Sequence, residues 1–134
     1  MNYVDMKKYY LITVLCALFI SCDDIPNSPI IGKWQLKTVE KNGMVSPVDT
    51  VWYNFQSEPV FAIQIYSPQR DTLYMTKGVR MQADNVISIE LESEFYIDLM
   101  DWDSANRSFT IDKVSRKNLV LLSEEGYRYS FIKF

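Results

Sequence analysis

The sequence predicts an all-β fold, a small antiparallel barrel of about eight strands joined as a meander. Short segments in which apolar and polar residues alternate recur along the chain, and turn residues separate them. Turns this short connect antiparallel neighbours, whereas parallel strands need long crossovers. Nine Tyr, seven Phe and three Trp also favour strands. Because closure removes the exposed edges of a sheet, we favour a barrel over the alternative, a β-sandwich.

The N-terminal residues have the pattern of a secretory signal peptide. The basic pair Lys7-Lys8 precedes an apolar run at residues 9–20, which is shorter than the ~20 residues that a membrane-spanning helix requires. Phe19-Ile20-Ser21-Cys22 resembles the bacterial lipobox, in which a small residue precedes a cysteine that is acylated after cleavage. We therefore expect residues 1–21 to be a lipoprotein signal peptide, with the lipid on Cys22 and a tether at residues 22–30.

The residues around this signal also suggest a location. Asp23-Asp24, directly after the cysteine, resembles the acidic export signal of surface lipoproteins in one Gram-negative phylum. We expect a protein that its lipid attaches to the bacterial cell envelope, at the outer membrane, facing either the periplasm or the cell surface. The membrane is thus the first predicted partner. Translation starts at Met1 or at Met6, since Met6-Lys7-Lys8 would also begin a signal peptide.

The first strand of the barrel is predicted at Ile30–Val39, and the barrel domain at residues 31–134. Gly32 allows a sharp bend because it has no Cβ. From there Trp34, Leu36 and Thr38 alternate with Lys33, Gln35 and Lys37, which gives the strand one packed face and one solvent-exposed face. A Trp just after a bend is expected to close one end of the barrel with its large apolar ring.

The rest of the chain divides into further strands and turns. Residues 41–49 read as a connection, and strands follow at 50–56, 60–66, 72–81, 86–91, 118–122 and 127–134. A further strand, with Phe109 and Ile111 facing inward, lies between the turns at 103–107 and 115–118. Gly78 suggests a bulge or bend inside the strand at 72–81, and the alternation of that strand does not decide which of its faces points inward. Residues 94–100 fit a short helix and a strand equally well.

Alternation along these strands assigns a set of residues to the barrel interior. The six expected to define the ends and the interior of any binding site are aromatic: Trp34, Tyr53, Phe55, Phe61, Tyr129 and Phe131. The other predicted inward positions are Leu36, Val51, Ile63, Ile65, Ile87, Ile89, Leu91, Phe109, Ile111, Leu119 and Leu121. Trp52 is predicted to face outward. Its ring is either exposed, where it could stack on a sugar or bind a partner, or covered by a loop.

The composition excludes several function classes. There is no His, which removes the commonest general base and metal ligand, and both Cys lie in the first 22 residues. We predict a non-enzymatic protein with no catalytic residues, no metal and no cofactor, and an envelope hydrolase is the least favoured alternative. Glu94, Asp98, Asp101 and Asp103 are interpreted as a solvated cluster rather than a Ca²⁺ site. With 14 Lys+Arg against 17 Asp+Glu, nucleic acid is not an expected partner.

The order of elements resembles a known family. Gly32-Lys33-Trp34 on the first strand, a hairpin meander, and Leu119-Val120-Leu121-Leu122 before an aromatic last strand are together similar to the bacterial lipocalin-like lipoproteins. The resemblance implies binding of a small apolar ligand or an envelope protein, and a basic residue (Arg128 or Lys133) against the motif Trp. The alternative is a structural or interaction module whose filled barrel holds no ligand. Any pocket is expected to be shallow and opposite Trp34.

Overall fold

The computed structural model describes residues 30–134, so the predictions for residues 1–29, including Cys22, lie outside the described part. These residues form nine strands and one short 3-10 helix, Ile97–Leu99. The strands, numbered in chain order, are β1 (Gly32–Lys41), β2 (Met44–Pro47), β3 (Val51–Phe55), β4 (Val60–Ser67), β5 (Thr72–Ala83), β6 (Val86–Leu91), β7 (Asn106–Val114), β8 (Asn118–Ser123) and β9 (Arg128–Lys133).

Eight of the strands close into an antiparallel barrel. From β3 to β9 each strand pairs with the next, β3 also pairs with β1, and β9 returns to pair with β1 from Trp34↔Lys133 to Glu40↔Arg128. The predicted meander barrel is therefore confirmed, and the sandwich alternative is wrong. The extra strand, β2, forms a hairpin with the second half of β1, where the sequence had indicated only a connection.

The two ends of the barrel differ in what covers them. The base carries the turns β3–β4, β5–β6 and β7–β8 together with the start of β1 and the end of β9. The mouth carries the turns β4–β5 and β8–β9 and the long connection from Glu92 to Ala105. In this connection Trp102 is buried, and Tyr96, Ile97 and Met100 pack against the core. The ambiguous stretch at residues 94–100 thus contains a 3-10 turn that partly covers the mouth.

A β-bulge in β1 changes which residues face inward. The register with β9 shifts between Leu36 and Thr38, so that the next inward residue after Leu36 is Val39. Thr38, predicted on the packed face, is only half-buried. The extra residue of a bulge reverses the alternation beyond it, which a strict period of two cannot anticipate. The other predicted inward residues are buried except Ile111, which is half-buried just before a second bulge in β7.

Strand β5 has an unusual distribution of side chains. Its inward face carries Thr76, Gly78 and Arg80, whereas Leu73, Met75, Val79 and Met81 point outward and are exposed. Arg80 is fully buried, with Nε donating to the Gln56 carbonyl at 3.1 Å and Nη1 3.8 Å from Glu58 Oε1. A hydrophobic pattern that points outward explains why the sequence does not reveal the facing of this strand.

Candidate ligand site at the mouth of the barrel

Aromatic rings fill the middle of the barrel. The ring of Tyr53 on β3 lies 4.8 Å from Phe131, 5.8 Å from Phe61 and 6.3 Å from Phe109, measured between centroids. Phe55 packs on Phe61 at 5.1 Å, toward the base. An eight-stranded barrel has an interior just wide enough for side chains or for one small ligand. With the interior occupied by rings, a deep cup of the carrier type is not present among residues 30–134.

The base is closed by Trp34. Its side chain is fully buried, and its Nε1 donates a hydrogen bond to the Ile30 carbonyl at 2.9 Å. Lys133 Nζ lies 4.5 Å from the centroid of the Trp34 ring and donates to the Ile31 carbonyl at 2.7 Å. Burial lowers the pKa of Lys133 from its usual value. Lys133 is therefore the basic residue against the motif Trp, whereas Arg128 contacts Asp112 and Glu40.

A cavity of about 290 Å³ opens at the mouth, at the end opposite Trp34. It lies between the second half of β1, the β2–β3 segment and the 3-10 turn. Its walls are apolar and its edge carries polar groups. The apolar walls are formed by Leu36, Val39, Val48, Val51, Leu99 and Met100 with the ring of Tyr53, and the polar edge by Lys41, Ser46, Thr50 and Asp101.

Asp101 connects the edge of this cavity to the barrel interior. The Tyr129 hydroxyl donates to Asp101 Oδ2 at 2.5 Å, and Lys41 Nζ lies 3.4 Å from the same oxygen. Arg107 Nη2 donates to the Tyr129 hydroxyl at 2.6 Å, while Nη1 donates to the Asp101 carbonyl at 3.2 Å. The guanidinium also lies over the rings of Trp102, Phe109 and Tyr129. This network fixes the 3-10 turn, and with it one wall of the cavity.

Two buried tyrosines beneath the connection have raised pKa values. Burial is the main cause for Tyr53, and the negative charge of Asp101 adds to it, although Trp102 Nε1 donates to the Tyr53 hydroxyl at 2.9 Å. Burial and the hydrogen bond to Asp101 raise the pKa of Tyr129 in the same way. Both hydroxyls therefore stay protonated at neutral pH and serve as hydrogen-bonding groups.

The six aromatic site candidates take three different positions. Tyr53 forms part of the cavity wall, Tyr129 supports its edge through Asp101, and Trp34 closes the base. The other three, Phe55, Phe61 and Phe131, fill the interior. The structure brings only Tyr53 and Tyr129 near the cavity.

Sequence reasoning missed most of the residues that line the cavity. Val39 was hidden by the bulge, and Ser46 and Val48 lie in the segment that was interpreted as a connection. Leu99 and Met100 lie in the stretch that could not be assigned. Asp101 had been placed in a solvated acidic cluster. Over residues 30–134 no three His, Cys, Asp or Glu side chains converge as metal ligands would.

A comparison with known families decides the affiliation. The profile of a lipocalin-like domain matches residues 16–134, nearly the whole chain. The chain belongs to the lipocalin-like family. Lipocalin-like proteins are generally binding proteins rather than enzymes. Over the described residues, no helix is long and apolar enough to cross a membrane.

Two solved structures share this lipocalin-like fold. A lipocalin-like protein from Bacteroides uniformis is 27% identical with a TM-score of 0.71, and the match covers 80% of this chain and 100% of that one. An uncharacterized protein from Bacteroides eggerthii is 26% identical with a TM-score of 0.68, covering 78% and 98%. No curated protein matches the chain.

Proposed function

We propose that this protein is a membrane-anchored envelope lipoprotein whose lipocalin-like barrel binds a small apolar ligand at its mouth, without catalysis. The observation that carries the proposal is the cavity of about 290 Å³, which is open where the rest of the barrel is filled. Ligand sites are concave, mostly apolar and supplied with a few polar groups. The walls of this cavity have that character, and its polar groups lie together on one edge.

The size and chemistry of the cavity limit the ligand. Its volume lies near the lower end of the ~300–1,000 Å³ typical of small-molecule sites. Apolar side chains from β1 and β3 form the floor, and Lys41 and Asp101 pair at the edge. Because the two charges neutralise each other, the edge offers hydrogen bonds rather than net charge. The ligand that fits is a small apolar molecule with one uncharged polar end.

The anchor is proposed from the lipobox-like sequence that ends at Cys22. Acylation supplies about 0.8 kcal/mol per buried CH₂, and more than one chain gives stable attachment. Cys22→Ser is expected to release the protein from the membrane fraction or to block its maturation. Mass spectrometry of the N-terminal peptide checks this, and an unchanged mass and an unchanged fractionation in the variant would contradict the anchor.

Ligand binding is tested first on protein purified from its own host. Native mass spectrometry is expected to show a retained small molecule that leaves on mild activation. Val48→Trp, which places an indole in the cavity, should abolish the retained mass and also the fluorescence of added anilinonaphthalene sulfonate. Val45→Trp is the matched control, since Val45 is exposed on β2 and does not line the cavity.

The packed interior favours a second candidate, a structural or interaction module without an internal ligand. The rings around Tyr53 leave no deep cavity among them. The same experiment separates the two functions. No retained mass, together with equal dye fluorescence in the wild type and in Val48→Trp, would support the module and contradict the carrier.

A further inference from the structure

We propose that the base of the barrel rests on the anionic lipid headgroups of the leaflet that holds the anchor, with the mouth pointing away from the membrane. This inference rests on the proposed anchoring at Cys22 and adds an orientation to it. It also places the ligand cavity on the side of the barrel that faces solvent. Three features of the base support it: where the chain leaves the barrel, the charges around that point, and the apolar side chains between them.

The chain enters the barrel at the base. Ile30 is buried there, and its carbonyl accepts the hydrogen bond from Trp34 Nε1. Seven residues lie between Cys22 and Ile30, so the chain makes eight steps, and at 3.3–3.6 Å per residue it reaches at most about 29 Å. A lipid on Cys22 therefore holds the base close to the bilayer, so that even weak contacts between the base and the headgroups are made at high effective concentration.

Cations gather around this point. Arg116 and Lys117 form the β7–β8 turn, Lys113 lies at the end of β7, and Lys33 lies at the start of β1. No carboxylate of residues 30–134 is within ion-pair distance of any of the four. The other two base turns each carry one carboxylate. Glu58 is turned toward the buried Arg80, which leaves Asp84 of the β5–β6 turn as the opposing side-chain charge in the base turns.

Exposed apolar side chains lie beside these cations. Ile31 is 43% exposed, Ile132 is 39% exposed and Phe134 is 69% exposed. The Phe134 ring packs edge-on against Trp52 with centroids 5.9 Å apart, and Lys33 Nζ lies 4.7 Å from its centroid. Phe134 therefore partly covers Trp52, so the ring is covered by the residue after β9 and not by the loop that the sequence suggested as an alternative. Apolar side chains ringed by Lys and Arg are typical of surfaces that lie on anionic membranes.

The mouth has the opposite charge. Its turns and its connection carry eight carboxylates and one arginine, Arg70; the carboxylates are Asp71, Glu92, Glu94, Asp98, Asp101, Asp103, Glu124 and Glu125. Cations at the adjoining strand ends offset two of them, since Lys41 pairs with Asp101 and Arg107 pairs with Glu125, and the mouth stays acidic. Each Lys or Arg near an anionic leaflet raises the binding affinity by about tenfold or less, whereas carboxylates are repelled. The same leaflet that attracts the base therefore repels the mouth, and the two effects select one orientation.

The test uses residues 22–134 with Cys22→Ser, so that no lipid contributes. The barrel is closed and its core is complete within residues 30–134, so this chain is expected to fold without the predicted signal peptide. It is sedimented with vesicles of phosphatidylglycerol and phosphatidylethanolamine, and with vesicles of phosphatidylcholine alone. We expect binding to the anionic vesicles at millimolar lipid, lost in high salt, and no binding to the neutral ones.

Matched variants locate the contact. Arg116→Gln with Lys117→Gln should weaken binding about thirtyfold. Arg70→Gln with Arg128→Gln, the same charge change at the mouth end of the barrel, should leave it unchanged. Phe134→Ser should weaken binding several-fold, and Phe95→Ser, an equally exposed ring on the mouth connection, should not. Circular dichroism confirms that each variant is folded.

Each outcome bears on the orientation separately from the anchor. No binding to anionic vesicles, including the case in which the base instead binds an acidic protein, overturns the orientation. So does loss of binding in the Arg70 and Arg128 variant alone. If Cys22 carries no lipid in cells while the vesicle result holds, the proposed anchor fails and the contact between the base and lipid survives.

Discussion

At the scale of single residues, Trp34 and Lys133 together hold the base closed. The Trp34 ring is buried beneath the lysine amine, and its Nε1 is satisfied by the Ile30 carbonyl. Trp34→Ala is expected to lower the free energy of unfolding by about 3–5 kcal/mol, as large-to-small core changes do. Trp34→Phe keeps a ring and loses one hydrogen bond, so about 1 kcal/mol is expected. Urea titration measures both, and a loss below 1 kcal/mol for Trp34→Ala would contradict this role.

Tyr53 and Tyr129 make the stability sensitive to alkaline pH. Their pKa values in the folded protein are raised above the usual value near 10. Below pH 10 the hydroxyls are protonated in both states and have no effect. Above pH 10 the unfolded chain ionises first, so stability falls by about 1.4 kcal/mol per pH unit for each tyrosine. Urea titrations between about pH 9 and 11.5 should show stability falling with pH, and Tyr129→Phe should make this slope shallower.

The wild type and Tyr129→Phe are compared through the pH dependence of their stability. Tyr129→Phe also removes hydrogen bonds to Asp101 and Arg107, so its stability is lower at every pH. The slopes above pH 10, and not the absolute stabilities, are therefore compared. Equal slopes in the wild type and the variant would show that Tyr129 is not the group responsible.

Which residues are buried could be predicted from the sequence wherever the alternation of apolar and polar residues is unbroken. Tyr53, Phe61 and Leu121 are buried as their strands predict. Val39 is not predictable in this way because the bulge before it depends on pairing with β9, a partner about 90 residues away. The choice of Lys133 over Arg128 likewise needed the register of that pair, since both residues lie on the last strand.

At the scale of elements, β5 depends on Gly78. A Cβ at this position would lie 2.4 Å from the Glu90 carbonyl oxygen and 3.0 Å from Leu91 Cα on β6. Both are backbone atoms, so the two strands must separate to accept a side chain. Gly78→Ala is expected to destabilise the protein by about 2 kcal/mol or more. Met81→Ala, at an exposed outward position of the same strand, should change stability by less than about 0.5 kcal/mol.

A thermal melt of both variants checks this prediction. Equal melting temperatures for the two variants would mean that β5 and β6 relax around a methyl group without cost. The bulge or bend that the sequence suggested at Gly78 is not found, since Gly78 pairs in unbroken register with Phe61 and Leu91. The glycine is required instead by the close approach of the β6 backbone. The glycine has an ordinary negative-φ backbone here, in contrast to the positive φ of Gly43 and Gly126.

The connection from Glu92 to Ala105 is attached to the barrel chiefly through Trp102. The indole is buried, lies 6.2 Å from Tyr53 and 5.9 Å from Phe109 between centroids, and donates to the Tyr53 hydroxyl. Trp102→Ala should cost about 3–5 kcal/mol and widen the cavity, so that dye fluorescence rises. Phe95→Ala, on the exposed side of the same connection, should change neither quantity. Unfolding and dye titrations measure the two effects.

Elements with strong alternation were predictable, and the others were not, for identifiable reasons. In strands β3, β4 and β6 every alternate residue on the inward face is apolar and buried, which fixes both their type and their facing. Strand β2 is exposed along its whole length and has no packed face to reveal it. The 3-10 turn at Ile97–Leu99 takes its shape from the Asp101 and Trp102 contacts, which involve residues distant in sequence.

At the scale of the whole molecule, charge is divided between an acidic mouth and a basic base. The carboxylates of the mouth are dispersed, and Asp101 is already bound to Tyr129 and Lys41. Because no set of them supplies the six to eight oxygens that Ca²⁺ requires, adding Ca²⁺ should leave the melting temperature where Mg²⁺ leaves it. A saturable rise with Ca²⁺, lost in Asp101→Asn with Asp103→Asn, would contradict this prediction.

The pairing of β1 with β9 has a consequence for how the chain matures. Lys133 contacts Ile31 across 102 positions of sequence, and the hydrophobic interior is enclosed only when these two strands meet. Such non-local pairing is slow, because a long loop must close before its contacts form. The barrel therefore stays open until β9 is available to pair with β1. For the export proposed above, this order of strands would keep the chain unfolded while it crosses the membrane.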